Sequence, residues 1–182
     1  MPGLHLTGRT LARAIVLALA AAGLAACAGG DTGPMPSGQP SFYRNLAQGG
    51  ELDPKAAASM LSGYRHNNGL PAVTIDPELM RLADQQAHAM VAKDKLSHDV
   101  GGSFTERLRK GGYHSRAAAE NISAGYYTLA EAFSGWRDSP PHRANMLLKG
   151  ATRMGIAAVY SPGSKYKVFW SLILADPSAP GA

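Results

Sequence analysis

Apolar residues recur at helical spacing behind two Asp-Pro pairs in the first half of the chain. Asp53-Pro54 combines an N-cap carboxylate with a proline in the first turn, and it predicts a first helix that Gly69 ends. Asp76-Pro77 repeats this signal before a second amphipathic helix, which we expect to end near Lys95. Residues 71–75 between the two helices predict a short extended connection.

Three further helices begin at capping signals. Residues 103–106 and 128–131 are capping boxes, in which a Ser or Thr and a Glu three residues later satisfy each other's backbone N–H groups. Gly111-Gly112 ends the first of these helices. Ser139-Pro140 is an N-cap and first-turn pair, so we expect another short helix there, with the Ser139 hydroxyl bound to backbone N–H groups.

The pattern changes to a period of two near the C-terminal end of the chain. Alternation over residues 154–160, a turn at 161–164 and alternation over 165–174 predict a β-hairpin. Its second strand is charged only at the start, at Lys165 and Lys167, so we expect both faces of this strand to be covered. Helices followed by a terminal hairpin predict an α+β domain with helices on both sides of the sheet.

The first 26 residues have the composition of a targeting segment. Arg9 and Arg13 form a basic region ahead of an apolar run over residues 14–24, which is shorter than a membrane span needs. The run ends in Leu24-Ala25-Ala26-Cys27, which resembles a bacterial lipobox, where the Cys is lipidated and the chain is cut before it. We therefore predict a signal peptide over residues 1–26 and a lipid on Cys27. The alternatives are a plain secretory signal and an uncleaved anchor.

Residues 27–50 are rich in Gly, Pro, Ser and Gln, and they predict a flexible tether that holds a domain of residues 51–182 away from the membrane. The expected location is the cell envelope, on the membrane surface. Ala28 directly after the Cys favours the outer membrane if the cell is Gram-negative. Cys27 is the only cysteine, so the domain is expected to fold on its hydrophobic core without a disulfide.

The charge balance bears on the partners of the mature protein. Removal of residues 1–26 leaves 16 basic and 13 acidic side chains, a net charge of about +3 with His neutral. The Lys and Arg residues are scattered and form no basic run, so we expect no nucleic-acid partner. The membrane, reached through the lipid anchor, is the partner that this sequence indicates.

Two histidines and a glutamate are the candidates for chemistry. His98 and His142 lie at junctions between predicted elements, and Glu120 lies between them in what we expect to be a loop. Two imidazoles and one carboxylate suit zinc or a related divalent ion, with a fourth position open. The same groups could equally form a hydrogen-bonded polar cluster, since Glu accepts and imidazole donates. Their spacing leaves both interpretations open.

The order of several short motifs resembles the CAP superfamily, which comprises cysteine-rich secretory proteins, antigen 5 and pathogenesis-related 1 proteins. The chain is most similar to the bacterial, SCP-like branch, and the similarity covers about residues 55–175. The motifs are Ser97-His98, Glu120-Asn121-Ile122 and Trp136-x-x-Ser139-Pro140-x-His142-Arg143-x-Asn145, together with Arg65, Gly69-Leu70-Pro71 and Asp76-Pro77-x-Leu79.

This resemblance implies a three-layer α-β-α sandwich with one cavity at which the polar motif residues meet. In eukaryotic relatives a second Glu completes a tetrad that can hold a divalent metal, and its place here falls at about Asp138 or Ser139, neither of which is Glu. The implied site therefore lacks one member of the tetrad. The cavity residues are His98, Glu120 and His142, with Asn121, Trp136, Ser139 and Asn145 in supporting positions.

The resemblance also implies a binding module for a lipid or sterol, a peptide or a surface partner. A hydrolase is the alternative, either through a metal on His98, Glu120 and His142 or through Ser139 as nucleophile with His142 as base and Glu120 orienting the imidazole. The chain has no G-x-S-x-G elbow. A third possibility is a purely structural cluster that pins the helices to the sheet.

Overall fold

The computed structural model describes residues 38–177, which form five α-helices and a four-stranded sheet. The predicted signal peptide, Cys27 and the tether ahead of residue 38 lie outside the described residues. The helices are α1 Pro54–His66, α2 Pro77–Lys93, α3 Phe104–Lys110, α4 Leu129–Asp138 and α5 Pro140–Met146. The strands are β1 Thr74–Ile75, β2 Ser115–Ala124, β3 Arg153–Tyr160 and β4 Val168–Pro177.

The predicted helix starts are confirmed by the capping contacts. Asp53 and Asp76 each accept two backbone N–H groups in the first turn of their helices. Both capping boxes, at residues 103–106 and 128–131, are complete. The second helix ends two residues earlier than expected, at Lys93, because Asp94 adopts the left-handed conformation with φ 44°.

The sheet has the strand order β1-β3-β4-β2. The predicted terminal hairpin is confirmed, since β3 and β4 pair antiparallel, and β1 adds to β3 in parallel. Strand β2, which pairs antiparallel with β4, was expected to be a loop. Its first half contains the alanines 117–119, which have low strand propensity, and its partner lies far along the chain. Pairing with β4 therefore determines this strand.

Helices cover both faces of the sheet, which confirms the α+β, three-layer α-β-α sandwich. Helices α2 and α3 pack on one face, and α1, α4 and α5 pack on the other. Strand β4 is buried from Val168 to Ala175, as its largely uncharged pattern predicts. Gly155 allows helix α2 to lie directly against β3. A Cβ at this position would be 2.1 Å from the carbonyl carbon of Leu79, so a larger residue would not fit.

The last part of the predicted tether is packed on the domain, so folded structure begins ahead of the boundary expected at residue 50. Residues 41–43 and 46–48 form short 3-10 helices, and the side chains of Phe42 and Leu46 contact the core on the α1 and α4 face. The Leu46 N–H donates to the carbonyl of Tyr127 at 3.0 Å. Two apolar side chains in a polar segment are enough to dock it.

Between residues 38 and 177, no helix combines the length and the apolar character that crossing a bilayer requires.

Candidate functional site

Glu120 lies in the middle of strand β2, not in the loop that the sequence analysis expected. It pairs in register with Ile173 of β4, and its side chain is 1% exposed. Side chains of successive strand residues point to opposite faces. The Glu120 carboxylate accordingly meets the α2 and α3 side of the sheet, whereas the neighbouring Asn121 meets α5.

Two side chains bind the Glu120 carboxylate directly. The His98 Nδ1 lies 2.7 Å from Oε1, so the predicted contact between these two residues is present. The Arg107 Nη2 donates to both carboxylate oxygens at 2.8 Å, and the Arg107 side chain is only 7% exposed. Glu120 is thus held in a buried, charge-assisted cluster with a guanidinium that the sequence analysis did not identify.

Arg107 also shapes the loop that carries His98. Its Nε donates to the Gly102 carbonyl at 3.2 Å and its Nη2 to the His98 carbonyl at 3.3 Å, and the guanidinium lies over the Phe104 ring at 5.4 Å. The sequence contained a signal for this residue. Arg107 and Leu108 follow Phe104 by three and four positions, so both lie on the Phe104 side of this short helix.

His98 is the accessible member of the cluster, with 48% of its side chain exposed. The hydrogen bond to Glu120 raises the pKa of His98, while partial burial and the charge of Arg107 lower it and Asp99 raises it slightly. When the imidazole is neutral, the ionised carboxylate selects the tautomer with a proton on Nδ1, and Nε2 remains as an acceptor.

The raised pKa of His98 predicts a pH-dependent contribution to stability. Because the folded pKa lies above the unfolded value, protonated His98 stabilises the fold below the unfolded pKa, and this contribution is lost as the pH rises through the folded pKa. We therefore expect wild type to exceed His98→Gln in unfolding free energy at mildly acidic pH and the difference to shrink at alkaline pH. Urea unfolding of both proteins across this range measures it, and a difference that grows with pH would contradict the assignment.

His142 lies in the first turn of α5 and is positioned mainly through its backbone. The Asn121 Nδ2 donates to the His142 carbonyl at 2.9 Å, and the Asn145 Nδ2 donates to the Asn121 side-chain oxygen at 2.9 Å and to the Glu120 carbonyl at 3.2 Å. These two amides fasten α5 to β2.

The imidazole of His142 has a different environment from that of His98. Burial lowers the pKa of His142, and the charge of His98 lowers it further. Within residues 38–177 the His142 ring makes no hydrogen bond to Glu120, which binds His98 instead. The orientation of His142 by Glu120 that a Ser-His hydrolase needs is consequently absent from the described contacts.

Ser139 occupies the N-cap position of α5, as predicted, but its hydroxyl makes no capping hydrogen bond. Pro141 at the second helical position has no N–H to offer, which removes one of the two usual partners of an N-cap hydroxyl. The Ser139 carbonyl still accepts the Arg143 N–H at 2.8 Å. The expected capping by the hydroxyl is therefore wrong, although the helix begins where it was predicted.

Substitution Ser139→Ala tests this description of the α5 start. Because the hydroxyl satisfies no helix donor, we expect the unfolding free energy to change by less than about 0.5 kcal/mol. Thr128→Ala, which removes a capping hydroxyl that does accept an N–H from Glu131, is the matched comparison and should cost about 1 kcal/mol. Equal losses in the two variants, measured by chemical denaturation, would contradict the structural difference.

Trp136 lies in the core and does not form a wall of an open cleft. Its side chain is 1% exposed and meets Trp170 of β4 edge-to-face, with ring centroids 6.4 Å apart. The pair anchors α4 to the sheet immediately ahead of Ser139. Trp136 thus supports the site by fixing the end of α4.

The residues do not fit a divalent metal site. Both Glu120 oxygens accept from Arg107, and one of them also contacts His98. Among residues 38–177 no group of three or more His, Cys, Asp or Glu side chains is arranged to hold a metal ion. Asp138, at the place expected for the missing Glu, is 65% exposed and pairs with Arg137 at 2.8 Å.

Residues 58–174 match the family described as CAP: Cysteine-rich secretory protein family. The chain belongs to this family. The matched region runs from α1 into β4, so it contains every residue of the candidate site. The resemblance on which the fold prediction rested is thereby confirmed.

Relatives from bacteria share this domain. The uncharacterized protein YkwD of Bacillus subtilis (strain 168) is 28% identical over 109 residues, which is 59% of this chain and 42% of that protein. The chain thus spans less than half the length of this curated relative.

Solved structures show the same fold. An extracellular protein containing an SCP domain from Bacillus anthracis str. Ames is 24% identical, with a TM-score of 0.58 over 66% of this chain and 39% of that one. An outer surface protein from Borrelia burgdorferi is 17% identical, with a TM-score of 0.62 over 70% of this chain and 97% of that one. Structural relatives of this CAP domain thus include extracellular and surface proteins.

Proposed function

We propose that this CAP-domain protein is an extracytoplasmic binding module, held on the membrane surface by a lipid on Cys27. The observation that carries the binding role is the contrast within the cluster. Glu120 and Arg107 are buried and paired with each other, while about half of the His98 side chain faces solvent. A rigid, buried polar cluster that presents one accessible imidazole suits recognition of a ligand.

The environment of the site supports binding over covalent catalysis. Glu120 orients His98, but no Ser, Thr or Cys hydroxyl or thiol donates to the His98 ring among the described hydrogen bonds. Ser139, the nucleophile of the alternative, precedes α5 without a hydrogen bond to His142 in the same set of contacts. The nucleophile and base of an acyl-transfer site normally lie within hydrogen-bond reach of each other.

A lipid or sterol, a peptide and a surface partner are the ligand classes proposed for this module. The full-length protein, incubated with a total membrane extract and recaptured, should retain one enriched class of compound. His98→Ala and His142→Ala should both lose it, whereas His88→Ala, an exposed histidine on α2, should keep it. An extract recovered without enrichment, or one retained equally by all variants, would count against the proposal.

The envelope location has its own test. The extracellular and surface relatives and the lipobox-like residues 24–27 both favour it. Wild type expressed in a bacterial host should enter the membrane fraction and incorporate radiolabelled palmitate. Cys27→Ser should lose the label and retain residues 1–26 uncut, which mass spectrometry of the purified protein detects. Labelling that persists in Cys27→Ser would contradict the anchor.

One observation favours a second candidate, a metal-independent hydrolase with His98 as base. The Glu120 contact at Nδ1 leaves Nε2 of His98 as the acceptor that a general base uses to activate water. Ester and peptide substrates supplied to the purified protein would then turn over at a rate that His98→Gln abolishes. Equal background rates for the two proteins would dismiss this candidate.

A further inference from the structure

We infer that Arg107 is the resident cation of this site, and that its guanidinium, in place of a divalent metal, neutralises Glu120. The inference concerns the chemistry of the buried cluster and does not depend on which ligand the module binds. The site is then metal-independent, in contrast to the tetrad of eukaryotic relatives that can hold a divalent metal.

Both oxygens of the Glu120 carboxylate are already engaged in hydrogen bonds. A carboxylate ligand of a metal must direct an oxygen lone pair at the ion. In this protein Oε1 and Oε2 of Glu120 both accept from Arg107 at 2.8 Å, and Oε1 also contacts His98 at 2.7 Å. A metal on Glu120 would have to displace the guanidinium.

The Arg107 guanidinium is buried together with the Glu120 carboxylate. The side chains of Arg107 and Glu120 are 7% and 1% exposed. A guanidinium separated from its carboxylate at this depth would be an unpaired buried charge, which is strongly unfavourable. Arg107 cannot simply turn into solvent, because its Nε and Nη2 also bind the carbonyls of Gly102 and His98.

Few side chains near Glu120 are placed to bind a metal together with it. His98 already binds Glu120 through Nδ1, and the His142 ring makes no hydrogen bond to Glu120 among the described contacts. Asp138, where a further acid would be expected, is exposed and paired with Arg137. A positive charge fixed beside the remaining candidates opposes the approach of a second cation.

The test is a zinc titration of the full-length protein, stripped with EDTA and titrated with ZnCl₂ in a calorimeter. Wild type should show no stoichiometric binding, and the His98 ring signals in its NMR spectrum should stay in place. Arg107→Met, which removes the charge, should bind zinc measurably, at least about tenfold more tightly than the detection limit that bounds the wild-type affinity. Adding His98→Ala to that variant should remove the gain.

Matched controls separate this effect from general disturbance of the helix. Arg109→Met removes an exposed charge from the same helix and should leave the titration unchanged. If Arg107→Met does not fold, Arg107→Gln replaces it in the zinc titration, because Gln is neutral and can still donate a hydrogen bond to Glu120. A folded neutral variant without any gain in zinc affinity would overturn the role of Arg107. One zinc bound by wild type and lost in His98→Ala would overturn the whole inference, and this measurement needs no Arg107 variant.

Discussion

Replacement of Arg65 by Met is expected to lower the free energy of unfolding by about 3–5 kcal/mol. Arg65 lies on α1 and is completely buried. Its guanidinium has no acidic partner among the described contacts and instead donates to four backbone carbonyls, those of Pro71, Met146, Leu148 and Ala151, at 2.7 to 3.0 Å. Removal of the donors leaves three of these carbonyls without a described partner, and the fourth, that of Leu148, keeps only the Ala151 N–H at 3.4 Å.

The same contacts connect Arg65 to the candidate site. Met146 is the last residue of α5, the helix that carries His142 and Asn145, and two of the other carbonyls that Arg65 binds directly follow it. We expect Arg65→Lys to retain only part of the stability, because an ammonium cannot reproduce the planar fork of donors. The His142 ring signals should broaden or shift in both variants as α5 loosens.

Urea unfolding measures this prediction directly. The urea midpoint should fall, while the slope of the unfolding free energy against urea concentration should stay the same. This combination identifies a loss of stability within a two-state transition. Arg81→Met is the matched control, since Arg81 is an exposed arginine on α2 that pairs with Glu78, and it should change the midpoint little. An Arg65→Met protein as stable as wild type would contradict a stabilising role for the hydrogen bonds that Arg65 donates to the four carbonyls.

Glu120→Gln is expected to destabilise the domain by a similar amount, about 3–5 kcal/mol. The substitution preserves the shape of the side chain but leaves the buried guanidinium of Arg107 without its counter-charge. It also removes the group that raises the pKa of His98, so the NMR titration of His98 should move to lower pH. Both changes come from one lost negative charge.

A double-mutant cycle distinguishes a coupled pair from two separate contributions. Arg107→Met combined with Glu120→Gln should be more stable than the sum of the single losses indicates, because the double variant buries no unpaired charge. Glu51→Gln, an exposed acid ahead of α1, is the control for charge removal. Additive losses in the cycle would mean that Arg107 and Glu120 do not stabilise each other.

These measurements also address the purely structural interpretation of the cluster. If Glu120→Gln and Arg107→Met lower stability while His98→Ala and His142→Ala leave ligand capture intact, the cluster pins the loop and α3 to β2 and nothing more. Loss of capture in His98→Ala with little loss of stability would separate binding from architecture. His98 is suited to this distinction because half of its side chain is exposed.

Local chemistry explains which elements were predictable. The Asp and Thr or Ser caps satisfy backbone donors within three residues of themselves, so their effect is already encoded in a short stretch of sequence. The β3–β4 hairpin shows the same locality, since its alternation and its turn are contiguous. His98, Glu120 and His142 were identifiable from their chemistry and their positions between predicted elements, and the motif order typical of the family supports the same three residues.

The errors share one physical cause, which is dependence on a distant partner. Strand β2 contains poor strand formers and exists because β4 offers it an edge, so Glu120 was placed in a loop. Helical spacing places Arg107 on the Phe104 side of α3, but its carboxylate partner is brought to it only by β2. Phe42 and Leu46 resemble parts of a linker until the α1 and α4 face gives them a place to pack.

The sequence by itself determined the helix starts, the hairpin, the layered α+β class and the identity of the candidate residues, because these depend on contacts between near neighbours or on motif order. Only the tertiary structure decided how the candidates pair. Glu120 binds His98 and Arg107, while His142 is held through Asn121 and Asn145 from the other side of β2. Which side of a strand a residue faces, and which cation lies there, depends on packing between segments far apart in the chain.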